Sequence, residues 1–465
     1  MARLYSYPGT GSCMKGKYAA TAPKNIGHIV VIAAVLMMAV ALVINEWTLA
    51  WWSCPDGHFE PDDRLRIAAF QGLCLLGGVL LLVFRRKALT VNILLSAATI
   101  LVCFSLGEIL MRNFHPQIGG RSEQEIFFAY DETLGWRLIP GKSGLLVSKH
   151  EYENIININA AGFRDRERPL AKASGTRRIA VIGDSFTAGL GVKDPEVFTA
   201  VLEATLPGAT EVLNFGVNGF GPTQEYLLLT TRVFPYHPDL VVMVFYIGND
   251  FDDTTNLTAW IDGYQRPRAV LDHRGRISFT NIPVPKTSRP RNERRRTCSL
   301  PRSHLVDFFD RILHQRRDKY ALDVLPPEVR LCRKDLDPSL QEALPLLRGI
   351  LRETDARCRR QGGRFALVLA PTVTQIHADI YWRKIKKVYN LREEDYDLLL
   401  PNKILTGIAG DLGIPVLDLT PALRSEADRG AELYYYKNRH WNAAGHRAVA
   451  RELAAWIETK KLLTE

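Results

Sequence analysis

Apolar positions are unevenly spread along the chain. Three long uncharged runs, Ile29–Ile44, Ile67–Phe84 and Leu89–Gly107, lie before residue 110, and none shows a polar face at helical spacing. Stretches of this length match about 30 Å of hydrocarbon, so the pattern predicts three transmembrane helices within 26–111, behind a cytoplasmic tail at 1–25. Arg3, Lys15, Lys17 and Lys24 precede the first run, and Arg85, Arg86 and Lys87 fill the connection between the second and third. Such clusters stay cytoplasmic, although the first connection is mixed, with Asp56, Glu60, Asp62 and Asp63 beside Arg64 and Arg66. The expectation is a retained inner-membrane anchor with everything after Arg112 periplasmic or extracellular.

Beyond the runs the period changes twice. Residues 112–176 are short and turn-rich, with Leu134-Gly135-Trp136 and Pro140-Gly141 as punctuation, which predicts a small β-rich segment. From 177 to 465, short apolar runs at Arg178–Ile182, Val212–Phe215, Leu240–Ile247, Arg364–Ala370 and Ile414–Leu417 read as strands. Helical patterns at Pro195–Leu206, Pro222–Val233, Leu340–Gln361 and Ala443–Thr459 lie between and after them. This alternation predicts an α/β fold, a three-layer sandwich with a parallel sheet covered on both faces. Chemistry in such a sheet belongs just past the carboxyl ends of the strands. An insertion at about 252–337 interrupts the rhythm. It should carry a hairpin around His273-Arg274-Gly275 and a helix near His304–Leu313, and its place after a strand end makes it a candidate lid or partner surface.

Composition narrows the classes. The 465 residues carry 60 basic and 50 acidic side chains, a formal charge of +10, with no bias toward disorder or a disulfide scaffold. Seven cations fall between Lys286 and Arg302, against one acid, Glu293. That run is a solvated loop or a surface for an anionic polymer or lipid headgroup; without a nucleic-acid motif beside it, it does not point to nucleic acid. The seven cysteines form no C-x-x-C pair and no spacing that suits a metal, and neither a metal nor a cofactor is implied. In an oxidising compartment one pair among Cys298, Cys332 and Cys358 could bridge.

The residues with chemical potential sit at the expected strand ends. The first strand runs into Gly183-Asp184-Ser185, the second into Asn214-Phe215-Gly216-Val217-Asn218-Gly219, and the third into Gly248-Asn249-Asp250. His440-Trp441-Asn442 precedes the last helix. A serine at a strand-to-helix turn has N–H groups nearby that favour developing negative charge, and it needs a base to become a nucleophile. Asp184 and Asp250 read as supporting residues that organise their loops through backbone bonds. His446 reads as a packing residue, and Trp441 either walls an acyl pocket or packs on the sheet.

In these motifs the chain resembles the SGNH subgroup of the GDSL esterases and hydrolases, over about 177–255 and 338–460. Asn159-x-x-Gly162-Phe163-Arg164 is similar to the lead-in of membrane-anchored members. The resemblance implies a flavodoxin-like sheet, Ser185 as nucleophile and His440 as base. It further implies an oxyanion hole made by the N–H groups of Ser185 and Gly219 and the amide of Asn249. The family places an aspartate two or three residues before its histidine, whereas this chain has Asn438 and Lys437 there. Asn438 can accept from the imidazole but brings no charge. The alternatives are a dyad oriented by a backbone carbonyl, an acid supplied by Asp418, Asp428 or Glu432, or loss of activity. The leading expectation is a membrane-anchored serine esterase acting on an O-acyl, above all O-acetyl, ester of an exported glycan or envelope component. Acyl transfer by the same serine, or a degraded scaffold binding a polyanion, are the competing ones. Partners on this reading are the acylated substrate, the bilayer and a possible membrane protein.

Overall fold

The structure, a computed structural model, describes residues 26–43, 61–83, 127–148, 151–257, 264–285 and 325–463, with short pieces at 45, 48, 96, 99–110 and 303. The chain forms two compact units, one from 1–117 with 295–308 and one from 118–294 with 309–465. The basic run at 286–302, the helix expected near 304–313 and Cys298 lie outside the described residues.

In the first unit, α1 (Ile26–Val43) and α2 (Pro61–Val83) pack together, with Gly77 and Gly78 giving room to Met37 and Met38 and the Gln71 amide donating to Ala41 O at 3.0 Å. The three expected transmembrane helices are not supported: among the described residues no helix is long and apolar enough to cross a membrane. The reasons are local. Helix α1 ends where Asn45 Nδ2 caps Leu42 O at 2.7 Å. Helix α2 spends its first turns on Asp62, Asp63, Arg64 and Arg66. The third run is described only in part.

The second unit opens with two hairpins, β1 (Phe128–Asp131) with β2 (Gly135–Leu138), and β3 (Ser143–Ser148) with β4 (Tyr152–Asn157). Strand β4 alternates, Tyr152, Asn154 and Ile156 inward and Glu153, Ile155 and Asn157 outward, as a half-buried strand must. The sheet that follows contains β5 (Arg177–Gly183), β6 (Thr210–Gly216), β7 (Leu240–Tyr246), β10 (Arg364–Ala370) and β11 (Val416–Asp418), all parallel, in the order β6-β5-β7-β10-β11. This is the 2-1-3-4-5 order of flavodoxin-like folds, whose switch point lies between the first and third strands. Each expected strand is present.

The helices are α3 (Ser185–Ala188), α4 (Phe198–Thr205), α5 (Pro222–Leu228), α6 (Asp250–Thr255), α7 (Pro327–Arg330), α8 (Pro338–Arg360), α9 (Val373–Ile376), α10 (Tyr381–Tyr389), α11 (Leu400–Asp411), α12 (Thr420–Asp428) and α13 (Ala443–Thr459). Alternate strand residues feed two cores. Ala180, Ile182, Met243, Phe245, Leu367 and Leu369 face α8 and α11, while Ile179, Val181, Val242, Val244 and Val368 face α4 and α13. Burying every strand on both faces explains the unbroken apolar runs.

Within the insertion, β8 (Arg268–Leu271) and β9 (Ile277–Thr280) form the hairpin turning at His273-Arg274-Gly275. It docks on the helical layer, where Gly349 of α8 lies against Leu271 and Ile277 and the Phe279 ring stacks on Tyr226 of α5 at 5.0 Å. Cys332 and Cys358 are free and buried, so no bridge joins them. Burial pushes both thiols up to about 12.

Candidate active site

Ser185, Gly219 and Asn249 follow β5, β6 and β7, three adjacent strands, so parallel pairing alone brings them to one edge. Ser185 opens α3 directly after β5, and Asp184 caps that helix by accepting from Phe186 N at 2.8 Å. So tight a turn needs Gly183, where a Cβ would meet the Thr187 hydroxyl at 2.2 Å. Gly219 has φ +74°, a conformation that glycine adopts without steric cost.

His440 arrives from 255 residues away, and its Nε2 lies 2.8 Å from Ser185 Oγ. Its Nδ1 faces Asn438 Oδ1 at 2.6 Å and Asn438 O at 3.1 Å. The second contact fixes the tautomer, because a backbone carbonyl can only accept: Nδ1 carries the hydrogen and Nε2 is left to accept from the serine hydroxyl. The imidazole stacks on Phe186 at 4.7 Å, and Phe186 stacks in turn on Tyr246 at 4.1 Å. This burial lowers the His440 pKa from 6.5 to about 4, opposed only by the Asn438 backbone bond. Ser185, Gly219, Asn249, Asn438 and His440 are each partly exposed, while Asp184 and Asp250 beneath them are buried.

Asn438 stands where a carboxylate was expected, and no other acid takes its place at Nδ1. Asp418 is bound by Asn402 and Thr420, and Glu432 is exposed, with its backbone carbonyl accepting from Asn442. Asp250 accepts from Tyr246 N at 2.7 Å and shapes the turn after β7. His446 accepts from Phe198 N at 3.1 Å, is buried, and has its pKa lowered to about 3, a neutral packing imidazole. Trp441 is buried edge-on against Phe186 and Phe198 and fills core.

Glu151, Glu225 and Asp253 give no signal in the sequence, and Arg164, Asp184 and Asp250 read there only as motif or loop-organising residues. Glu151, from the turn between β3 and β4, accepts from Lys437 N at 2.5 Å and Asn438 N at 2.9 Å and so holds the loop that carries the imidazole. Arg164 of the Asn-x-x-Gly-Phe-Arg motif is buried and donates to the carbonyls of Ala188, Gly189 and Val192, clamping the chain that leaves α3. Below the serine, Glu225, Asp250 and Asp184 are buried together with Asp253 nearby. Desolvation raises all four pKa values, Asp184 to about 7 and Asp253 to about 6; repulsion within the cluster adds to it for Asp184, Glu225 and Asp250, whereas Arg266 and the Asn249 amide oppose it at Asp253. Both Glu225 oxygens lack a hydrogen-bond partner among the described residues. Only the spatial meeting of α3, α5 and α6 reveals this cluster. No group of His, Cys, Asp and Glu among the described residues is arranged to hold a metal ion.

A serine hydroxyl bound to a neutral imidazole thus lies past the carboxyl ends of a 2-1-3-4-5 parallel sheet. Residues 333–465 match the family model described as SGNH hydrolase-like domain, acetyltransferase AlgX, and the resemblance read from the motifs holds, without its membrane-anchored qualifier. No curated protein matches. Among solved structures the chain is similar to the acetyl xylan esterase AlAXEase, at 13% identity and TM-score 0.32, covering 60% of this chain and 98% of that one. It is also similar to a lipase/acylhydrolase from Enterococcus faecalis, at 13% identity and TM-score 0.31, over 61% and 97%. A third is a catalytic mutant of Axe2, an acetylxylan esterase from Geobacillus stearothermophilus, at 14% identity and TM-score 0.32, over 62% and 96%.

Proposed function

We propose that the protein is a serine-dependent acyl-ester enzyme that forms an acyl-Ser185 intermediate, with an O-acetyl ester of a carbohydrate as its acyl donor. The observation that carries this is the 2.8 Å contact from Ser185 Oγ to His440 Nε2, with Nδ1 held as a donor by the Asn438 carbonyl. His440 Nε2 takes the hydroxyl proton as Oγ attacks the acyl carbon. The N–H groups of Ser185 and Gly219 and the Asn249 amide receive the oxyanion, and each such donor is worth about 2.7–4 kcal/mol. The imidazolium then returns its proton to the departing alcohol oxygen. In the second half His440 deprotonates the incoming nucleophile, which releases the acyl group from Ser185. Support for an acetyl ester comes from the match of 333–465 to a family described as an acetyltransferase, and Tyr436, two residues before Asn438, is 65% exposed.

Water as the second nucleophile gives hydrolysis, and a sugar hydroxyl gives acyl transfer. The match of 333–465 to a family described as an acetyltransferase favours transfer. Product analysis with an acetylated glycan, with and without an acceptor sugar, tests both. Acetyl-sugar formed only with acceptor supports transfer, free acetate supports hydrolysis, and either product from Ser185→Ala protein at the wild-type rate refutes the proposal.

A further inference from the structure

Two of the three donors assigned above are held by groups from outside the strand-end motifs. The peptide plane that carries Gly219 N–H has Asn218 O as its carbonyl, and that oxygen accepts from Trp136 Nε1 at 3.0 Å. In a planar trans peptide, fixing the C=O fixes the N–H in the opposite direction. The next carbonyl, Gly219 O, accepts from Arg266 Nη2 at 3.0 Å. Both planes around the glycine are therefore clamped. Arg266 is only 3% exposed and lies over the Trp136 ring at 5.5 Å, so the two clamps support each other.

The same guanidinium reaches the other donor. Arg266 Nη2 pairs with Asp253 Oδ1 at 2.8 Å, and Asp253 Oδ2 accepts from Asn249 Nδ2 at 2.6 Å. Asn249 Oδ1 is buried with no hydrogen-bond partner among the described residues. Nothing on the oxygen side holds this amide, so the carboxylate sets its orientation. One Nδ2 hydrogen is spent on Asp253 and the other stays free for an oxyanion. A flipped amide would offer a lone pair there instead, which repels the charge that the site must stabilise.

We infer that Asp253, Arg266 and Trp136 are positioning residues for the oxyanion hole, so that the lead-in and the insertion complete the site. This rests on the reading of Ser185 and its donors given above. The test is steady-state hydrolysis of p-nitrophenyl acetate by the full chain, with folding checked by circular dichroism. Asp253→Asn should lower kcat about 10- to 100-fold, below the 10²–10³ for outright loss of a donor, with KM within about twofold. Placed in an Asn249→Ala background it should slow the enzyme clearly less, since only its pairing with Arg266, which holds Gly219 O, is left to lose. A wild-type kcat for Asp253→Asn, or an undiminished effect in the Asn249→Ala background, overturns the inference. Should Asp253→Asn not fold, Trp136→Phe, which deletes the Nε1 donor, carries the same test: kcat must fall severalfold at constant KM, and an unchanged kcat overturns the clamp. Ser185→Ala distinguishes the two levels. If it is inactive while the positioning variants are normal, only the inference fails; if it keeps the wild-type rate, the underlying reading fails as well.

Discussion

Replacing Asn438 with aspartate probes the feature that separates this site from the usual triad. In the protein, Asn438 Oδ1 lies 2.6 Å from His440 Nδ1, so the new carboxylate needs no rearrangement to meet the ring. The imidazolium is now disfavoured by burial, with the pKa at about 4 against an ordinary 6.5, a difference on the order of 3 kcal/mol. An opposite charge at this distance recovers about one to three pKa units, or about 1.4–4 kcal/mol. If that stabilisation is fully expressed in the transition state, kcat rises roughly 10- to 10³-fold. Glu151, bound to Asn438 N at 2.9 Å, is a like charge near the new group and moves the expectation toward the lower end. The assay is kcat/KM against pH. Wild type should hold its activity down to about pH 5 and lose it as His440 protonates near 4, and Asn438→Asp should move that limb upward. An unchanged limb and an unchanged kcat would refute the claim that Asn438 governs the base.

Other consequences follow from the same contacts. Glu151→Ala should release the loop at 437–440 and lower kcat about tenfold or more, as expected for a misplaced catalytic group; Glu151→Gln, which keeps one acceptor, should lie between, and equal rates for all three proteins would contradict the role. The folded-state pKa of Glu225 lies above its ordinary 4.5, so its contribution is favourable at low pH and is lost as pH rises through that window. Glu225→Gln should therefore gain stability relative to wild type by up to about 1.4 kcal/mol per pH unit above about 5, read as a widening Tm difference; a gap independent of pH counts against a protonated carboxyl. For His440 the sign is opposite. Its lowered pKa means that stability is lost as pH falls from about 6.5 to about 4, a dependence that His440→Phe should reduce in denaturant titrations, leaving the part that His446 imposes.

Most of the sheet was legible because burial on both faces leaves strands as bare apolar runs. Arg364–Ala370 and Ala443–Thr459 occur at the expected residues. Ser185, Gly219, Asn249 and His440 were legible because each sits in a compact motif at a strand end. The supporting groups were not. Glu151, Asp253 and Arg266 are ordinary charged residues in unremarkable contexts, and their roles come from contacts 47 positions away for Arg266 with Gly219, 287 for Glu151 with Asn438, and 4 and 13 for Asp253 with Asn249 and Arg266, which only the fold makes meaningful. The three transmembrane helices expected within 26–111 lack support for a different reason. Hydropathy registers a run's composition, whereas the helices stop where Asn45 caps α1 and where charged residues occupy the start of α2.

The central claim, a hydroxyl activated by an imidazole 255 residues away, is tested most directly by covalent labelling. Incubated with a fluorophosphonate at pH 7 and mapped by peptide mass spectrometry, the folded protein should carry a single adduct on Ser185, and His440→Ala should label far more slowly. A folded wild-type protein that takes no label at Ser185, or labels equally fast without His440, would contradict the account.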